Sequence, residues 1–188
     1  MRAVPVRQDV PMARTVTIAA ATAALMLGLV APAAAACTDS GARPTHASLA
    51  RARQATLCLI NRARAAHGLG RLRHAALLDR AAAAHSRDMV RRDFFSHNSP
   101  GGSTPSQRID RTGYLSGARS WAIGETIAWG TGRLGTPASI VRGWLNSPEH
   151  RAILLDGRFH DLGIGVAIGA PNEGRRGATF TGDFGARG

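Results

Sequence analysis

The chain of 188 residues contains no lysine; all 24 of its strong cations are arginine. Alanine and glycine are abundant beside them, the pattern of a GC-rich coding bias, so arginine in place of lysine is not by itself a sign of phosphate recognition. Aromatic residues are sparse: five Phe, three Trp and one Tyr. None interleaves with the arginines as a stripe on which bases would stack, which argues against a specific nucleic-acid partner. The uncharged run Thr15–Val30, ahead of the helix-breaking Pro32, falls short of the roughly 20 apolar residues that cross a bilayer. Three catalytic signatures are missing as well: a His-Glu-x-x-His helix, a Gly-x-Ser-x-Gly elbow and a cysteine free to act as nucleophile.

What is present begins with an export signal. Arg2, Arg7 and Arg14 form a positive region opposed only by Asp9, the uncharged run follows, Pro32 breaks it, and Ala34-Ala35-Ala36 supplies the small residues a signal peptidase requires. Residues 1–36 are therefore expected to be removed near Ala36. A membrane anchor and a lipoprotein carrying Cys37 at its start are the alternatives; Ala34, three residues before the cysteine, weakens the second. The remainder, 37–188, is the size of one domain with one core. Without the three early arginines and Asp9 it holds 21 arginines against 11 acids, a net +10, which draws it toward anionic envelope components, with screening by salt. The arginines look dispersed along the chain, consistent equally with a solvated surface. The two cysteines, Cys37 and Cys58, make a poor metal site but an expected disulfide in an exported chain. It would tie a lead-in, 37–49, to the first helix and stabilise by roughly 3 kcal/mol in the chain-entropy account.

The hydrophobic period predicts helices from Ser48 to about Ala66 and from about Ala75 to Arg92. On the second, His85 falls on the apolar stripe and reads first as a hydrogen-bonded core histidine. Phe94–Gly102 is loop. Thr104-Pro105-Ser106-Gln107 is a capping box opening a short helix, and Thr136-Pro137 and Ser147-Pro148 open two more. Gly124–Gly130 is strand or turn. Leu162–Gly169 and Ala178–Phe184 alternate as an antiparallel hairpin. Helices first and sheet last imply an α+β fold.

Three polar residues stand out by position. His97 lies in a turn-rich loop, Glu125 sits in an apolar, glycine-flanked stretch where a buried carboxylate needs a partner, and His150 is the third residue of a helix beginning at Pro148, where the helix dipole favours a neutral imidazole. Glu149 beside it is accounted for by the same dipole.

The segments Leu57–Arg64, His85–Met89, Phe95-Ser-His-Asn-Ser-Pro100, Gly124-Glu-Thr-Ile-Ala128, Trp144-Leu-Asn-Ser-Pro-Glu-His-Arg151 and Gly163-Ile-Gly-Val166, in this order, resemble the CAP superfamily of cysteine-rich secretory, antigen 5 and pathogenesis-related proteins (SCP-like extracellular domains), in its short bacterial form, over roughly 50–185. The resemblance implies an α-β-α sandwich with a central antiparallel sheet between helical layers. It also implies a cleft lined by two histidines and two acids that in some members holds a divalent metal such as zinc. By position these are His97, Glu125 and His150, with Glu149 the best local candidate for the second acid. Thr126 takes the place of the family's common asparagine, keeping a hydroxyl for the cleft wall. His97 and His150, with Glu125, are the candidate metal ligands.

Three functions compete on this reading. The first is an exported, monomeric binding module for a small ligand, a lipid or a divalent cation at the envelope or outside the cell. The second is a metal-assisted or His/Glu-based hydrolase acting on peptide or envelope substrates. In the third the polar cluster only braces the fold.

Overall fold

The computed structural model describes residues 36–188; the proposed export signal, but for Ala36, lies outside them. The order is α1 (Leu49–Ala66), β1 (Arg73–His74), α2 (Ala76–Arg91), α3 (Pro105–Asp110), β2 (Trp121–Gly130), α4 (Pro137–Asn146), α5 (Pro148–Leu154), β3 (Asp161–Ala170) and β4 (Gly174–Arg187). The sheet runs β1-β3-β4-β2. β3 and β4 form the expected hairpin, β2 pairs antiparallel with β4 over its whole length, and the two-residue β1 lies parallel to β3. The sheet is thus mixed rather than wholly antiparallel, because the short chain between α1 and α2 adds a strand too brief to show a period in sequence.

Strand alternation assigns the two faces. In β3, Leu162, Ile164 and Val166 join Phe180 and Phe184 of β4 in a core with Ile60 of α1, Trp144 of α4 and Leu154 of α5. Full burial of each such side chain contributes about 1.5–3 kcal/mol. The intervening residues Gly163 and Gly165 face α2. A Cβ on either would collide with the α2 backbone, at Leu78 and Ala82 respectively, so the Gly-Ile-Gly pattern is what lets a helix with Ala81 and Ala82 on its inner face lie directly on the sheet. A second, smaller core of Leu78, Ala81, Ile109 and Tyr114 fills that side.

α1 ends where Gly68 takes φ +69°, the left-handed conformation that terminates helices. Its stripe, though, is not purely apolar. Asn61 donates to the Leu72 carbonyl and accepts from the Leu72 amide. Arg64, 2 % exposed, donates to the carbonyls of Gly70, Leu154, Asp156 and Phe159. A single guanidinium therefore satisfies two buried turns that no secondary structure would satisfy. Cys37 and Cys58 form the disulfide, joining the lead-in to the middle of α1.

Candidate functional site

Glu125 is the centre of the polar site. It lies on the α2 side of β2, its side chain 2 % exposed, and both oxygens are engaged. Oε1 accepts from His97 Nδ1 at 2.8 Å and Oε2 from an Arg108 terminal nitrogen at 2.6 Å. Since a carboxylate only accepts, His97 carries its proton on Nδ1, and Nε2 is the remaining ring nitrogen of a side chain 49 % exposed.

Each partner is set in place by local sequence. His97 is held by the loop after α2, where Ser99 and Ser103 close a turn through Ser99 N–H to the Ser103 carbonyl at 3.0 Å and Gly102 N–H to the Ser99 carbonyl at 2.8 Å. Ser96 Oγ accepts from Asn98 N–H within that loop, so it serves the turn. Arg108 projects from α3, whose start is the expected capping box: Thr104 Oγ1 accepts from Gln107 N–H and Gln107 Oε1 from Thr104 N–H. Arg108 also donates to the Ser103 carbonyl at 2.8 Å, binding helix, loop and carboxylate together. His85, fully buried on α2, donates from Nε2 to the Ser96 carbonyl at 3.0 Å and stands 3.9 Å from Glu125 Oε1. It is the hydrogen-bonded core histidine expected, placed against the site.

The second buried acid is Asp183, which faces Glu125 directly across the β2–β4 pairing and is 1 % exposed. Burial and the adjacent Glu125 charge push its carboxyl well above the ordinary range. As a carboxylate it would have no donor at either oxygen; protonated, it can donate to Glu125. For Glu125 burial alone would raise the pKa, but the His97 hydrogen bond, the Arg108 charge and bond and His85 together hold it below the usual carboxylate value. Two acids side by side thus divide their roles, Glu125 charged and Asp183 neutral. Sequence alone does not single out Asp183, because its strand position shows only that it alternates with Phe184; the register that sets it opposite Glu125 is a long-range fact.

His150 is the third residue of α5, following the cap Ser147. Burial, then the charge of nearby His97, lower its pKa, against the opposing pull of Glu149. His150 is thus within electrostatic reach of His97. Glu149 is exposed in the first turn of α5. Thr126 is on the other face from Glu125: it is fully buried, and its hydroxyl lies, with Phe184 and Ile164, where a Cβ on Gly182 would point. Adjacent strand residues alternate, so a residue next to Glu125 cannot share its cleft wall. Both Glu125 oxygens are committed to His97 and Arg108, and among the described residues no group of three or more His, Cys, Asp or Glu side chains converges to hold a metal.

A helix layer on each side of a hairpin-centred sheet, with His97 bonded to Glu125 of the edge strand β2, is the arrangement of an SCP-type domain. The family model for the cysteine-rich secretory protein family (CAP) matches residues 57–184, and the chain belongs to that family. It is similar to the uncharacterized protein YkwD of Bacillus subtilis (strain 168), 33 % identical over 107 residues, 57 % of this chain and 39 % of that protein. It is also similar to the uncharacterized membrane protein YlbC of the same organism, 36 % identical over 110 residues, 58 % of this chain and 30 % of that one. The chain thus spans well under half the length of these relatives. Among solved structures, an extracellular protein containing an SCP domain from Bacillus anthracis str. Ames superposes with TM-score 0.59 at 28 % identity, covering 75 % of this chain and 43 % of that one. An outer surface protein of Borrelia burgdorferi does so with TM-score 0.58 at 22 % identity, over 70 % and 90 %, which speaks for the fold. Among the described residues no helix is long and apolar enough to cross a membrane.

Proposed function

We propose that this is an exported binding module whose cleft offers two imidazoles, His97 and His150, to a small ligand or divalent cation at the cell envelope, after removal of residues 1–36. The observation that carries the reading is the 2.8 Å bond from His97 Nδ1 to Glu125 Oε1. A carboxylate on one ring nitrogen fixes the tautomer, raises the basicity of the other and orients it, which is how metal-binding histidines are prepared. Glu125 is thus the positioning partner and the imidazoles are the donors. Glu149 supplies charge at the rim. Two imidazole donors suit zinc and leave positions of its tetrahedral shell for groups of the ligand itself; bound there, zinc supplies a Lewis acid. The extracellular or surface character of the solved relatives and the net positive charge of the domain favour an envelope setting.

The test is zinc titration calorimetry on the untagged protein from an oxidising compartment. Binding lost in both His97→Ala and His150→Ala supports the reading, and unchanged binding in both removes its metal component. A second reading draws on the same bond: a Glu–His pair with a free Nε2 is also a general base able to activate a water. Hydrolysis of a peptide or peptidoglycan library that disappears in His97→Ala would favour it. A purely structural cluster would instead show as a lowered melting temperature in His97→Ala with no binding or activity to lose.

A further inference from the structure

Arginines scattered through the sequence converge on one groove behind Glu125. A cavity of about 430 Å³ between α2, the loop 99–103 and α3 is lined by Arg80, Arg91, Arg92, Arg108 and Arg111. Among the described residues Asp88 is the only acid in its wall, and it is already paired with Arg91 at 3.0 Å and Arg92 at 3.6 Å. The volume is that of a small-molecule site. Neither His97, Glu125, Glu149 nor His150 lines it, so it is separate from the cleft of the proposed function and does not depend on that reading.

Five guanidiniums in one concavity repel one another, and each desolvated one requires an acceptor. The rim arginines have weak or surface partners: Arg80 meets the Thr112 carbonyl and Arg111 the Ser103 hydroxyl. The inner wall is more telling. Arg108 is 6 % exposed, and its Nε has no partner. His85 is fully buried; its Nε2 proton is given to the Ser96 carbonyl, and its Nδ1 also has no partner. Two residues that line the cavity therefore carry orphaned buried atoms, a donor at Arg108 Nε–H and an acceptor at His85 Nδ1. Leaving such atoms unsatisfied costs free energy that a ligand would recover.

We infer that this groove is a binding site for a phosphate group, carried by a soluble phosphorylated molecule or by a lipid headgroup. Planar guanidiniums match phosphate oxygens bidentately. A phosphate monoester, whose second ionisation falls near pH 6, retains a hydroxyl for part of the population at neutral pH. It can satisfy an orphaned donor and an orphaned acceptor together. A sulfate or carboxylate, fully ionised, offers no proton to His85 Nδ1.

The experiment is a titration of the mature, disulfide-bonded protein with inorganic phosphate, followed by amide and guanidinium NMR shifts at about 0.05 M salt, where exposed charges are little screened. The exposed rim pair Arg91→Ala/Arg111→Ala is compared with Arg62→Ala/Arg142→Ala, which removes equal charge elsewhere; unchanged melting temperature in both confirms folding. The expected result is affinity reduced at least about tenfold in the rim pair and within about twofold of the parent in the control pair, with sulfate at equal ionic strength binding several-fold more weakly than phosphate. Co-sedimentation with vesicles containing phosphatidic acid, whose headgroup is a phosphate monoester, separates the sources. Binding lost in the rim pair and displaced by phosphate assigns a headgroup, whereas phosphate binding without co-sedimentation assigns a soluble ligand. Equal losses in the two pairs, sulfate binding as well as phosphate, or no phosphate binding by the parent would each overturn the inference.

Discussion

The two faces of the sheet are made from alternate residues of the same strands, yet they do different work. Toward α1, α4 and α5, Ile164, Phe180 and Phe184 interdigitate with Ile60 and Trp144, and the one strand hydroxyl among them, Thr126, has no partner. Toward α2, the same strands present Gly163, Gly165, Thr181, Asp183 and Glu125. Here helix and sheet meet almost backbone to backbone, Ser86 donates to Thr181 Oγ1 at 2.9 Å, and the remaining space is filled by acids, histidines and Arg108. One face supplies the bulk of hydrophobic stabilisation. The other accepts buried charge in exchange for a site, and each charge on it must be matched.

This contrast can be broken most strongly at Arg108. Replacement by Ala leaves Glu125 buried with His97, His85 and the neutral Asp183 beside it but no fixed cation, and the expected loss is about 3–5 kcal/mol in urea unfolding. A loss below about 1 kcal/mol would mean that the polar face does not depend on charge matching. Next come the glycines. Gly165→Ala places a Cβ against the α2 backbone and should cost about 3 kcal/mol, while Gly182→Ala on the apolar face meets the Thr126 hydroxyl at 2.9 Å and the Phe184 ring at 3.3 Å and should cost about 1 kcal/mol. Equal costs for the two would contradict the backbone-to-backbone packing.

Asp183→Asn sharpens the comparison through pH. The folded-state pKa of Asp183 is raised, so its contribution is fully present below the unfolded value near 3.9 and is lost as pH rises toward the folded value. Glu125 runs the other way: its lowered folded pKa gives stability present above about pH 4.3 and lost as pH falls. In the asparagine variant the first slope vanishes. Its stability relative to the parent should grow by up to about 1.4 kcal/mol per pH unit above pH 4, read from melts across a pH series. A constant difference between the two proteins would show Asp183 to be charged in the fold. The smallest effect on stability is expected at His97→Ala, below about 1 kcal/mol, since the ring is half exposed and Arg108 still holds the carboxylate.

The apolar face is legible in sequence because it obeys a period. The stripes of α1 and α2, the Pro-led starts of α3, α4 and α5, and the alternation of β3 and β4 all follow from local rules, and the limits of α1 and α2 agree to within a residue. His97, Glu125 and His150 are legible as odd residues in loops, caps and apolar runs, and through the order of the family's motifs. What is not legible depends on register or on distant segments meeting. Asp183 reaches Glu125 only through the β2–β4 pairing. Arg64 looks like one more surface arginine until the turns at 70 and 154–159 close around it. Arg80, Arg91, Arg92, Arg108 and Arg111 look dispersed until α2 and α3 pack. Thr126 shows the converse: a place next to Glu125 in sequence puts it on the opposite face.

The chemistry of the cleft turns on which nitrogen of His97 belongs to Glu125. The direct measurement is nitrogen-15 NMR of the histidine rings in the mature protein, before and after addition of zinc. Nδ1 of His97 should be protonated and hydrogen-bonded throughout, with zinc shifting Nε2 of His97 and a ring nitrogen of His150. A zinc-induced change at His97 Nδ1, or no change in either ring, would contradict it.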